Sequence, residues 1–267
     1  MSTVELSSPR AGVALVTLNR PERLNAMSHE LVAELHATLD EVGRDRGTRV
    51  IVLTGAGRGF CAGLDLKDAG RPPGVDGLGR VEAGMVGQQH IAALVPRLRS
   101  LRQPVIAAVN GAAAGGGLAL ALACDVRLAA PEARFNVAFV RIGLSGCDIG
   151  VSWLLPRLIG ASRAFELMLT GRIVDAAEAD RLGIVSRVVE GRPAVDAALD
   201  VADEILANSP TGVWMTKEVM WSQLEVGSLQ AGIDLENRTQ IMTSMTDDIR
   251  EAISAFVEKR SPHFGPT

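Results

Sequence analysis

Tyrosine is absent from the 267 residues, and aromatic side chains of all kinds make up only 3%. The core must therefore be packed from Ala, Val, Leu and Ile, and stacking platforms for nucleic-acid bases are all but excluded. Cysteine is scarce as well: Cys61, Cys124 and Cys147 are odd in number and share no CxxC or Cys/His spacing. Neither a disulfide framework nor a zinc site is expected, and a reducing cytoplasm is the expected location. A dominant charge is also missing. Lys and Arg total 27 against 31 Asp and Glu, a formal −4, so no nucleic-acid partner is expected and any anionic ligand must be met locally. The N-terminus has no basic stretch followed by an apolar one, the mark of a secretion signal. The uncharged run Val105 to Cys124 is long enough to span a bilayer. Eight Ala, the glycines Gly111, Gly115, Gly116 and Gly117, and Asn110 make it weakly hydrophobic and repeatedly broken, so no membrane segment is expected.

What remains, 47% apolar and 22% charged residues, suits one large globular domain or a domain with an appendage. Gly12 to Leu18 reads as a strand closed by Asn19-Arg-Pro21. Ser28 is a candidate N-cap, and Leu31, Leu35, Leu39 and Val42 follow at helical spacing as far as Gly43. Arg49 to Leu53 reads as a buried strand, so the chain opens β-α-β. Val105 to Val109 reads as another strand, followed by a glycine-rich turn from Asn110 to Gly117 into an Ala/Leu helix. Arg71 to Gly87, rich in Gly and Pro, is expected to be a surface loop beside the site. Farther on, Asp175-Ala-Ala-Glu178 is a candidate capping box, Ile184 to Val189 a short strand, and Pro193 to Lys259 mostly helix.

Two glycine-bearing segments stand out chemically: Gly57 to Leu66, after a buried strand, and Asn110 to Gly117, at the start of a helix where unpaired amides and the helix dipole favour a negative oxygen. Two amides converging from separate loops would form an oxyanion hole. In this order, together with Leu18-Asn-Arg-Pro-Glu-Arg-Leu-Asn-Ala26, Phe60-Cys-Ala-Gly-Leu-Asp-Leu66, Pro104 to Gly111, Gly115 to Gly117, Leu167 to Arg172, Ala179 to Val185 and Phe256 to Arg260, they make the sequence resemble the enoyl-CoA hydratase/isomerase (crotonase) superfamily over nearly its whole length.

The resemblance implies an α/β fold, a spiral of repeated ββα units spanning residues 1–195, with a helical trimerisation region over 196–267 and trimers that can pair into hexamers. It implies an acyl-CoA thioester substrate with coenzyme A as part of that substrate, and no metal or redox cofactor. The amides of Leu64 and Gly116 would hold the thioester oxygen, Ala62, Asp65 and Leu66 would line the CoA site, and Lys67, Lys259 and Arg23 would meet its phosphates. One departure bears on mechanism: the positions of the two hydratase glutamates read Ala119 and Phe139, and neither can transfer a proton. Asp148, in the turn Ile142 to Gly150, is the candidate replacement. It could act as a general base, as a nucleophile, or as a simple cap for the helix starting at Val151. His90 and Glu82 are weaker candidates for a second acid-base group, and Ala119 and Phe139 could instead shape an acyl pocket.

Overall fold

All six residues of Val50–Gly55 are buried, as a run of β-branched and aliphatic side chains in a central parallel strand requires. In the computed structural model, which describes residues 2–265, this strand is β3 of a six-stranded sheet. The sheet also holds β1 (Val4–Arg10), β2 (Val13–Leu18), β5 (Val105–Val109), β7 (Val126–Ala129) and β10 (Arg187–Val188), in the order β1-β2-β3-β5-β7-β10. A second sheet runs β4 (Gly59–Cys61), β6 (Ala112–Ala114), β8 (Arg134–Asn136), β9 (Ile173–Asp175). Strands enter the two sheets alternately. β3, β5 and β7 pair in parallel in the large sheet, and β4, β6 and β8, which follow each of them, pair in parallel in the small one. A helical segment closes each turn, which is the expected spiral of ββα units.

The helices are α1 (His29–Arg44), α2 (Arg80–Ala92), α3 (Leu94–Ser100), α4 (Gly116–Ala123), α5 (Val151–Ile159), α6 (Ala161–Thr170), α7 (Ala176–Leu182), α8 (Ala194–Leu206), α9 (Pro210–Gln223), α10 (Leu229–Ser244) and α11 (Asp247–Glu258). Because side chains alternate across a strand, the large sheet has two buried faces. Ile51, Leu53, Ala107 and Val109 face the main core with α1, α3, α4 and α5. Val50, Val52, Ile106 and Ala108 face the small side chains of α8, Ala194, Ala197, Ala198 and Ala202. The expected boundary at 195/196 thus falls inside a helix that completes the spiral's second core.

Local signals explain several element ends. Ser28 Oγ accepts from the Leu31 amide (3.2 Å) at the start of α1, and Asp175 Oδ1 from the Glu178 amide (2.8 Å) at the start of α7. Other expectations need correction. β1 was not expected, because its outward side chains are polar and only Val4 is buried; a turn with Gly12 at φ 78° folds it antiparallel onto β2. The loop expected over 71–87 becomes helix from Arg80 onward, hidden from periodicity because only Gly87 and Ile91 of α2 are buried. The turn from Asn110 to Gly117 contains strand β6, and the strand expected over 184–189 shrinks to Arg187–Val188. No helix among the described residues is long and apolar enough to cross a membrane.

A buried ion pair ties α9 to the spiral. Lys217 Nζ donates to the Leu98 and Gln103 carbonyls (3.0 and 2.9 Å) and lies 2.9 Å from Asp125 Oδ2, which also accepts the Val105 amide. Burial pulls the Lys217 ammonium pKa down, with Asp125 opposing the shift. Beside it, Trp221 Nε1 donates to Asp125 Oδ1 (2.7 Å), and the Arg99 guanidinium lies over both Trp221 and Trp153 at 4.3 and 4.7 Å. Removing one partner of such a pair strands the other charge. Lys217→Met is expected to destabilise the fold by about 3 kcal/mol, read as a lower urea midpoint; an unchanged midpoint would show the pair to be dispensable.

Candidate active site

The Leu18–Ala26 motif turns out to be scaffolding. The side chain of buried Asn25 accepts from the Arg20 amide (2.9 Å) and donates to the carbonyls of Ala56 (3.0 Å) and Gly59 (2.7 Å). From the other side, Asn110 Nδ2 reaches the carbonyls of Gly55 (2.8 Å) and Gly57 (2.9 Å). These amides satisfy carbonyls that the irregular stretch between β3 and β4 leaves unpaired. They also bring the chain after β4 directly against β6 and α4. Contact is so close that a Cβ on Gly117 would stand 1.9 Å from the Cys61 carbonyl oxygen. Gly63 has φ 93°, and a Cβ there would meet the Ala114 oxygen at 2.9 Å.

This approach brings two amides to one cavity. The Met27 amide donates to Gly63 O (2.7 Å) and the Asp65 amide to Met27 O (3.0 Å). Leu64 sits between them as an isolated parallel bridge partner of Met27, so its own N–H points away from Met27. Gly116 opens α4, and its nitrogen would lie 3.5 Å from a Cβ on Gly63. Among the described residues no protein acceptor takes the N–H of Leu64 or of Gly116. Both line a cavity of about 130 Å³ whose walls are mostly apolar, including Met27, Leu66, Ile91, Phe139 and Ile149. An anion there would meet two unsatisfied donors and the positive end of the α4 dipole.

Among the described residues, Asp148 is the one ionisable residue lining this cavity. It is not a helix cap: Gly150 stands at the N-cap of α5 with φ 84°. The Asp148 Oδ1 accepts instead from the Ile149 amide (2.7 Å) and from Gln88 Nε2. Ile149 holds φ 33°, a left-handed conformation costly for a β-branched side chain. Phe139 is in the wall, its ring 3.4 Å from where a Cβ of Gly115 would be, whereas Ala119 is in the core behind it. Gln88 escaped sequence reasoning because its segment lacked apolar periodicity; its spacing of three from buried Ile91 was the available signal.

Other expected site residues lie elsewhere. Ala62 and Leu66 line the cavity, but Arg23, Lys67 and Lys259 do not. Arg23 and Lys67 are exposed, and Lys259 ends α11 in a left-handed conformation. The Asp65 carboxylate is committed internally: it pairs with Arg20 (3.0 Å) and accepts the amides of Lys67 and Asp68, which hold it below the usual carboxylate range against the cost of burial. Glu82 is exposed at the start of α2, and neither it nor His90 reaches the cavity wall. Burial raises the Cys61 thiol to about 12, which leaves no thiolate near neutrality. A larger cavity, about 860 Å³, lies beneath α9, but its buried Lys217 and Asp125 satisfy each other.

Residues 8–267 match the family model described as enoyl-CoA hydratase/isomerase. The chain is 44% identical over 265 residues to a protein of Mycobacterium bovis described as a probable enoyl-CoA hydratase, covering 99% of this chain and 93% of that one. It is 42% identical over 260 residues to the 1,2-epoxyphenylacetyl-CoA isomerase of Escherichia coli, with 97% of each covered. A crystal structure described as a probable enoyl-CoA hydratase/isomerase from Mycobacterium abscessus superposes with a TM-score of 0.94 at 41% identity, covering 100% of both chains.

The seat of α2 on α1 contains three histidines. His36 Nε2 is 2.9 Å from the His90 carbonyl oxygen, and the two rings lie 4.9 Å apart. His29 Nδ1 and His90 Nε2 are buried without hydrogen-bond partners. Burial lowers the pKa of both, and the neighbouring His36 and His29 lower that of His90 further. The unfolded chain takes up these protons near pH 6.5 while the folded one resists. The stabilisation is complete above that pH and is lost as pH falls through the lower folded values. Thermal unfolding between about pH 7.5 and about pH 5.5 should show a fall in Tm that is shallower in a His29→Gln/His90→Gln variant; parallel slopes would contradict it.

Proposed function

The chain belongs to the enoyl-CoA hydratase/isomerase family, and from that membership we propose that it moves a double bond within an acyl-CoA thioester by proton transfer through Asp148. The thioester oxygen accepts the N–H groups of Leu64 and Gly116. Asp148 removes a proton from the α-carbon of a 3-enoyl thioester, and the electron pair flows to that oxygen as a dienolate. The same proton is returned to the γ-carbon, so the double bond shifts from β,γ to α,β without gain or loss of atoms. Each oxyanion donor contributes about 3 kcal/mol to lowering the barrier. In the family's terms CoA is part of the substrate, and the reaction as written needs neither metal nor redox cofactor.

The observation that carries this reading is a single carboxylate in a cavity that also holds both free amides. Hydration by a glutamate pair lacks its two acids, since Ala119 and Phe139 occupy their positions. Nucleophilic attack by Asp148 would need a base to release the ester, and His90 is not in the wall. The E. coli relative, named as an isomerase, supports the choice. Exposed Lys67 and Arg23, with Lys259, are proposed to meet CoA phosphates. The exposed apolar side chains of α10 and α11, among them Leu229, Met242, Phe256 and Val257, support assembly into trimers or hexamers.

Wild-type protein should convert 3-hexenoyl-CoA to its conjugated 2-isomer and exchange the α-protons of hexanoyl-CoA with deuterated water. Asp148→Asn should lower kcat roughly 100- to 10,000-fold while hexanoyl-CoA still binds. If neither 3-hexenoyl-CoA nor 1,2-epoxyphenylacetyl-CoA turns over and no exchange occurs, a binding protein without catalysis is the better description.

A further inference from the structure

Both donors to the Asp148 carboxylate converge on one oxygen. The Ile149 amide reaches Oδ1 at 2.7 Å from within the same turn, and Gln88 Nε2 reaches it from α2 across the cavity. Among the described residues nothing donates to Oδ2. The local amide alone cannot set the torsion of the carboxylate plane, because a single hydrogen bond still permits rotation about the bond it defines. A second donor from an independent element removes that freedom.

We infer that Gln88 is a positioning residue that fixes the rotation of the Asp148 carboxylate and leaves Oδ2 as the oxygen that exchanges the substrate proton. The inference rests on the proton-transfer reading of Asp148. The arrangement serves both protonation states. When Oδ2 carries no proton, the two donors stabilise the carboxylate charge on Oδ1; when Oδ2 has taken the proton, Oδ1 is the carbonyl oxygen and accepts the same two bonds. No group has to turn over between abstraction and return of the proton. A carboxylate that must reorient within each cycle loses the benefit of a preset geometry.

Gln88 is held to this task by the seating of α2. Ile91, one turn on, is buried in the main core. Gly87 packs beneath Pro72 so closely that a Cβ would lie 2.8 Å from the Pro72 ring. The His90 carbonyl oxygen takes His36 Nε2 from α1. The Gln88 side chain itself is largely exposed, so its replacement should leave folding intact.

The test uses Gln88→Leu, Gln88→Glu and Asp148→Asn in the full chain, with 3-hexenoyl-CoA as substrate. Gln88→Leu should lower kcat roughly 10- to 100-fold with little change in KM. Gln88→Glu places a second carboxylate against Oδ1, which repels it instead of donating to it, and should lower kcat at least as far. Equal thermal unfolding of wild type and Gln88→Leu is expected, so a merely structural role does not predict a fall in kcat at unchanged KM. If Gln88→Leu keeps wild-type kcat while Asp148→Asn is inactive, the positioning role is wrong and the proton-transfer reading stands. If Asp148→Asn retains wild-type turnover, that reading fails first and the role of Gln88 fails with it.

Discussion

The site depends on one close approach, that of the segment following β4 to the turn that opens α4. Where Gly117 faces the Cys61 carbonyl, any side chain would overlap main-chain atoms, and the neighbouring Gly63 also needs a backbone conformation that L side chains avoid. With both conditions met, the free amides of Leu64 and Gly116 come to the same wall of one cavity. Even a methyl group at Gly117 would have to push α4 away from the end of β4, both of them buried, so the geometry is held by packing that cannot relax locally.

The chemistry of this cavity comes from contrast. Its walls are apolar, its two free donors belong to the backbone, and its one ionisable group is Asp148. Apolar walls lower the local dielectric, which strengthens each electrostatic interaction made between them. The turn carrying Asp148 is held with Ile149 at φ 33°, a conformation with a cost of order 1–3 kcal/mol that persists only where its surroundings enforce it. α5 on one side, anchored through buried Val151, Leu154 and Leu155, and α2 on the other supply that enforcement.

Much of this was legible in the residues themselves, and what was not has physical causes. The buried strands announced themselves through unbroken β-branched runs, and Ser28 and Asp175 through cap chemistry that acts over three residues. Motif spacing located the Leu64 and Gly116 loops. What escaped was decided by long-range contact. β1 is a strand because β2 lies beside it, not because of its own apolar pattern. α2 buries too little of itself to write a periodic signature, and Gln88 was lost with it. Asp65 looked like a ligand contact, yet its partner Arg20 lies 45 positions back in the chain. The capping role offered for Asp148 failed because Gly150 already occupied the cap, a matter of two residues that composition cannot resolve.

Groups that grip a carbonyl through main-chain nitrogen are written in no particular codon. Only proline at 64 or 116 would erase such a hydrogen, and a Cβ at Gly116 would require the Met27 side-chain end, 2.0 Å away, to swing aside. Carboxylates are the opposite: at Ala119 or Asp148 a single nucleotide change adds or deletes an acid, and at Phe139 two suffice. A lineage built this way can trade one proton chemistry for another over short mutational distances, while a pair of main-chain donors passes unchanged from ancestor to descendant.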